Sequence, residues 1–168
     1  MNTRKLTLSA LLLASDVLLT RVLAFNTPLM KIGLGFAAVA ICARLYGASW
    51  AALVAALGDI LGSVLFPTGA YFPGFTLTAA LTGLLFGLCL YGGRKHWVRP
   101  VLAAVLNCVL ISYLANSAMI AFITGNSYRS MLAARAVQLT VMLPLQILVL
   151  LWLSRSGFIQ RLIEHAQK

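Results

Sequence analysis

The sequence predicts an all-α integral membrane protein with six transmembrane helices, both termini cytoplasmic, and a ligand pocket open to the outside. Three observations carry this. Of the 168 residues, 61% are hydrophobic and 10% are charged, where a soluble domain is about half apolar and a quarter charged. The mean hydropathy is +0.96. Apolar stretches near membrane-spanning length recur along the chain, and the net charge of +10 gathers in the connections between them. Bases placed that way set topology in a bilayer; they do not form the continuous basic face that nucleic acid needs. The chain reads as one domain over residues 1–168, solvated by lipid, with no nucleic-acid partner.

The first span covers 6–24. Its start, MNTRKLTLSALLLAS, has the basic beginning and short apolar run of a secretory signal. Asp16 and Arg21 continue the helical pattern with no clean cleavage site, so the segment reads as a span. The second span, 32–46, falls short of the roughly 20 residues a full crossing needs; it is tilted, partial or buried in the bundle. The third and fourth cover 48–66 and 75–91. The fifth, 98–123, is long enough to tilt. The sixth, 131–153, contains Pro144, which membrane helices tolerate.

The bases orient the bundle. With the N-terminus inside, the inner side holds Arg4, Lys5, Arg44, Arg94, Lys95, Arg99, Arg155, Arg161 and Lys168. The outer half keeps Arg21, Lys31, Arg129 and Arg135. The asymmetry satisfies the positive-inside rule. Trp50, Trp97 and Trp152 then fall at inner ends, as interface anchors do. Three connections face outward: 25–31, 65–76 and 124–130. The middle one, LFPTGAYFPGFT, holds four aromatic residues, two prolines and two glycines without a charge. Prolines restrict this backbone and glycines permit its bends, so it reads as a preorganised aromatic lid.

Ionisable groups inside the spans mark function or pairing, because each costs about 2.5–3.5 kcal/mol at mid-bilayer even on lenient scales. Asp16 and Arg21 lie in the first span, Asp59 in the third, Arg135 at the start of the sixth. Asp16 or Asp59 can neutralise Arg21 or Arg135, yet the outer bases outnumber the available acids. The excess positive field suits an anionic solute captured from outside. Two polar stripes support a cavity: Tyr113, Asn116 and Ser117 in the fifth span, and Arg135, Gln138, Met142 and Gln146 in the sixth. Interhelical hydrogen bonding is the alternative reading of both. Small-residue pairs recur at Ala10/Ala14, Gly58/Gly62 and Gly83/Gly87; the glycine pairs read as close internal packing. Cys42, Cys89 and Cys108 lack ligand spacing and read as small core residues, without metal or disulfide. His96 and His165 have no nucleophile or metal partner in the pattern, and no Walker motif occurs, so the chain is no enzyme and needs no cofactor.

A small, basic, six-span chain with AxxxA in its first helix resembles the substrate-binding (S) component of energy-coupling factor vitamin transporters. RVLAF (21–25), PLMKIGLGF (28–36) and LGDILGSVLFPTGAYFPGFTLTAALTGLLFGLCLY (57–91) are similar to the folate-specific S components. That resemblance implies a bacterial plasma-membrane protein that captures folate at the outer face. It implies docking through the first helix, at Ala10 and Ala14, onto a coupling subunit that carries two ABC ATPases, and toppling in the membrane to release the vitamin inside. With folate as ligand, the pterin would stack on rings and present its 2-amino and N3 edge to a carboxylate, for which Asp59 is the candidate. The glutamate carboxylates would meet Arg21, Lys31 or Arg135. Phe25, Tyr71, Phe72 and Phe75 would form walls or lid, and Asn116 and Gln138 would line the pocket. The fifth and sixth spans match in polarity without a sharp motif. Riboflavin, pantothenate or a pyrimidine would be the alternative ligands within the same class, and a small membrane enzyme or structural subunit the alternatives outside it.

Overall fold

The computed structural model describes residues 3–26, 31–67, 71–92 and 97–156. Helix α1, Thr3–Val17, runs on as a π-helical turn, Leu18–Val22. Two short strands follow, β1 (Phe25–Asn26) and β2 (Lys31–Ile32), paired antiparallel with Phe25 opposite Ile32. Then come α2 (Gly35–Tyr46), α3 (Ala48–Leu65) and α4 (Pro73–Leu90). The fifth span is composite: α5 (Val98–Leu106), a π-helical stretch (Asn107–Ala115) and α6 (Asn116–Thr124). Helix α7, Tyr128–Arg155, closes the bundle.

These elements make the six expected helical spans, with two adjustments. The second begins at Gly35 instead of residue 32, because the backbone of Lys31 and Ile32 is spent on the ladder with β1. Its 12 residues reach about 18 Å at 1.5 Å per residue, well short of a hydrocarbon layer about 30 Å thick. It is therefore a partial span packed inside the bundle, and seven of its residues are buried. The ladder is the second adjustment: the first outer connection is a hairpin, not a plain loop. Helices α3, α4, α5–α6 and α7 are each long and apolar enough to cross a membrane. Their outward faces carry exposed leucines at helical spacing, Leu53, Leu57 and Leu61 on α3 and Leu77, Leu81, Leu84 and Leu88 on α4. An apolar surface of this extent is at home only in lipid.

The dry core lies toward the inner end and is built from small residues. Ala43, Ala51, Ala103 and Ala104 are fully buried beside Cys42, Phe86 and Leu150. Helices α3 and α4 touch backbone to backbone: a Cβ at Gly83 would stand 2.6 Å from the carbonyl carbon of Ala51, and one at Gly87 would stand 2.5 Å from the nitrogen of Ala48. Gly83 and Gly87 thus perform the close packing expected of them. The turn from α2 into α3 is a single residue, Gly47, at φ +86°, a conformation glycine adopts without steric cost. Two side chains tie the inner end further. Arg44 Nη1 donates to the Leu153 carbonyl at 3.1 Å, on the negative end of α7. Trp50 Nε1 donates to Ser9 Oγ at 2.6 Å, with the Lys5 ammonium 4.3 Å above the Trp50 ring. The anchoring expected of Trp50 is thus directed at α1, whereas Trp97 and Trp152 stand exposed. The cysteines are free thiols, two of them buried, as small core residues should be.

Candidate functional site

Toward the opposite end the helices part around a cavity of about 700 Å³, within the range of small-molecule sites. Its lining takes in Arg21, Tyr71, Phe72, Ile123 and Thr124, at or beside the outer ends of their spans, so the outward pocket falls at the base-poor, ring-rich end. Every intramembrane polar residue singled out by charge lines it: Asp16, Arg21, Asp59 and Arg135.

The lid side is a relay with one possible direction. Asp59 can only accept, so Thr76 Oγ1 donates to its Oδ2 at 2.9 Å. The Thr76 proton being used, Tyr71 donates its hydroxyl to Thr76 Oγ1 at 2.9 Å. Arg21 Nη2 donates to the other oxygen, Asp59 Oδ1, at 3.2 Å, with both side chains largely buried. One of the pairings the sequence left open is thereby made, Arg21 with Asp59. Tyr71, Phe72 and Phe75 all line the cavity. Phe72 packs edge-on against Phe75 at 6.1 Å between centroids and tilts against Phe122 at 6.3 Å, the geometry aromatic quadrupoles favour. Pro73 opens α4 at its first turn, where its missing N–H is harmless, and so marks where the helix begins between Phe72 and Phe75. Residues 68–70 of the lid motif lie outside the described residues. Phe25 and Lys31 stand on the two strands of the hairpin; their side chains lie outside the described residues.

Helix α7 supplies the stripe read from the sequence. Arg135, Gln138, Met142 and Gln146 all face the cavity and descend roughly 16 Å along the helix. Arg135 is 4% exposed. Its Nε donates to Gln138 Oε1 at 3.1 Å and its Nη1 to Ser117 Oγ at 3.3 Å. Both partners are neutral, and among the described residues no carboxylate pairs with Arg135. A guanidinium has five donors, so this one keeps donors and a whole charge for something else.

The fifth span departs from α-helical spacing, and one expectation fails because of it. Helical spacing puts Tyr113 on the cavity face with Asn116 and Ser117. Its hydroxyl instead donates to the Leu132 carbonyl at 3.1 Å, away from the lining. The π-helical winding over Asn107–Ala115 widens the interval between residues sharing a face. Asn107, Ile111, Ser112 and Asn116 line the wall instead, and Ser117 sits behind it, fully buried against Arg135. The uneven intervals between these polar residues were the available signal. Asn107, Thr78 and Thr82 were missed altogether: threonines at i and i+4 on α4 lie 2.9 Å and 3.0 Å from the amides of Asn116 and Asn107.

The sequence offers Asp16 as an intramembrane acid that faces a cavity or a cationic partner. It is 8% exposed and lines the cavity, with Oδ1 accepting from Thr20 Oγ1 at 3.1 Å. Space for it is cleared by glycine: a Cβ at Gly58 would lie 2.5 Å from Asp16 Oδ2, and one at Gly62 would lie 2.9 Å from Arg21 Nε. The Gly58/Gly62 pair therefore makes room for charged side chains, whereas the expectation was close backbone packing. Ala10 and Ala14 stand exposed on the outer side of α1, away from the cavity.

Residues 1–153 match the family model described as "ECF-type riboflavin transporter, S component". The chain belongs to the ECF-type S component family. As an S component it is a multi-pass membrane transport subunit and not an enzyme. Among its relatives, the folate transporter FolT of Clostridium novyi is 33% identical over 84% of this chain and 82% of that protein. The folate transporter FolT of Leuconostoc mesenteroides is 29% identical over 88% of this chain and 82% of that one. Among solved structures, the crystal structure of FolT bound with folic acid superimposes with a TM-score of 0.86 at 28% identity, covering 93% of this S component and 94% of that chain.

Proposed function

We propose that this S component captures folate from the outer face and hands it to an ECF coupling subunit and its two ABC ATPases for ATP-driven uptake. The observation that carries the ligand is Arg135, a buried cation inside a cavity with only neutral partners among the described residues. Such a charge is costly until an anion joins it. Folate brings two carboxylates. Riboflavin, the vitamin in the family description, brings none and would leave Arg135 uncompensated. The folate transporters among the relatives support the same choice.

The vertical ordering of polarity orients the ligand. The cavity floor is polar but uncharged, at Thr82, Asn107 and Gln146, while Arg135 and Arg21 stand toward the mouth. A neutral heterocycle therefore goes down and the glutamate carboxylates remain near the cations. Phe72 and Phe75 flank the aromatic part, and Tyr71 caps it. Asp59, level with Arg21 and Thr76 near the mouth, retains lone pairs beyond those they use and accepts from the N–H groups between the heterocycle and the glutamate. Asn116 and Gln138 complete the wall. Ala10 and Ala14 give α1 a small-residue face on which a coupling helix can approach closely.

Calorimetric titration of the purified protein tests this. Folic acid binds saturably without ATP, and riboflavin neither binds nor displaces it. Saturable riboflavin binding with no response to folic acid would overturn the ligand while leaving the class. Ala14→Trp leaves folic acid binding intact but abolishes folate uptake by the assembled transporter.

A further inference from the structure

Two asparagines on the fifth span contact threonine hydroxyls on α4, and the proton count of those hydroxyls fixes which way the amides point. Thr78 Oγ1 lies 2.9 Å from the Phe75 carbonyl of its own helix and 2.9 Å from the Asn116 amide. Thr82 Oγ1 lies 2.9 Å from the Thr78 carbonyl and 3.0 Å from the Asn107 amide. With Oδ1 as the near amide atom, each hydroxyl would have to donate twice. It has one hydrogen. A main-chain carbonyl can only accept, so each threonine proton goes to its helix carbonyl; otherwise two bare oxygens would face each other at 2.9 Å. The amide must then donate to the threonine oxygen. The oxygen and nitrogen of an amide are distinguished by such partners, not by shape.

We infer that Asn107 and Asn116 turn their N–H groups to Thr82 and Thr78 and their carbonyl oxygens to the cavity. The fifth span therefore reads N–H donors on the bound heterocycle, and Thr78 and Thr82 are positioning residues that hold the amides in this sense. Thr78 and Asn107 are buried at 4% and 5% exposure, so water does not readily relax the arrangement. The remaining polar atom of each amide has no protein partner among the described residues and opens onto the cavity. Asn107, at the floor, meets the donor edge of whatever is seated deepest. Resting on the folate reading, that edge is the 2-amino and N3–H side of the pterin, which meets a neutral acceptor there. The same wall rejects a ring that presents acceptors there, because two unprotonated partners would be buried face to face.

A ligand-by-variant cycle tests the inference, using folic acid and its 2-desamino-2-methyl analogue against wild type, Asn107→Leu, Thr82→Val and Thr82→Ser. Wild type favours folic acid over the analogue by more than tenfold. Asn107→Leu weakens folic acid at least tenfold and the analogue less than threefold. Thr82→Val lowers the preference for folic acid toward that of Asn107→Leu, since its amide is free to turn, and Thr82→Ser restores it. Equal losses for both ligands in Asn107→Leu, or undiminished preference in Thr82→Val, would overturn the amide orientation while folate binding stands. If wild type binds neither ligand, the folate reading fails and this inference with it. Should Asn107→Leu not fold, the wild-type preference and the Val/Ser pair at position 82 decide the matter alone.

Discussion

The inner and outer halves of this bundle use the same six spans to opposite ends. The inner half is dry and packed with alanine, cysteine and glycine, and α3 and α4 touch through Gly83 and Gly87. The outer half is hollow, and its glycines, Gly35 and Gly58, give way to the Asp16 carboxylate. The contrast shows that a small-residue pair has no fixed meaning in a membrane helix. What it admits, a backbone or a charged side chain, depends on whether the facing helix presents a main chain or a polar group at that depth.

If the halves are separable in this way, binding and stability should come apart on mutation. The largest effect is expected at Arg135. Arg135→Gln removes the charge that folate would neutralise, costing about 3 kcal/mol, a hundredfold or more in Kd for folic acid. Thermal stability should hold or rise, because an uncompensated buried charge is gone; calorimetry and a melting scan together check both signs. Gly87→Leu is the converse test. Its side chain drives into Ala48 and costs about 2–3 kcal/mol of stability, read as a lowered Tm, while folic acid affinity of the folded fraction stays within twofold.

Two smaller effects sharpen the contrast inside the cavity. Asp59→Asn breaks the pair with Arg21 and weakens an acceptor; about tenfold in Kd for folic acid is expected, near 1.4 kcal/mol, with a lowered Tm because a largely buried guanidinium loses this carboxylate. Gly58→Ala brings a methyl against Asp16 and should cost folic acid about fivefold with Tm almost unmoved. A Tm drop in Gly58→Ala as large as that of Gly87→Leu would show that both pairs serve packing and would erase the distinction.

Much of this arrangement was legible in the sequence for identifiable reasons. The spans followed from hydropathy, the outward face from the distribution of bases, and the α7 stripe from regular α-helical spacing that the structure keeps. The lid rings followed from a charge-free cluster of aromatic residues, proline and glycine. What stayed hidden depended on geometry that residue types do not announce. The π-helical winding moved Tyr113 off the wall and put Asn107 on it. The hairpin took Ile32 from the start of the expected second span through backbone pairing between residues five and seven apart. The Arg21–Asp59 pair joins residues 38 apart, so only its charge balance, not its choice of partner, could be foreseen.

The winding of the fifth span has a consequence for how such a wall can be remade. A π-helix closes its hydrogen bonds one residue later than an α-helix. Deleting one residue between Asn107 and Ala115 would let the stretch rewind as α-helix, the tighter winding making up most of the rotation that the lost residue carried. Asn116 would keep its place on the wall and Ser117 its place against Arg135, while the residues between Asn107 and Asn116 would be dealt to new faces. A single lost codon there would do what no single substitution can: redeal the panel of wall between two fixed ends and leave the bundle fitted to its membrane.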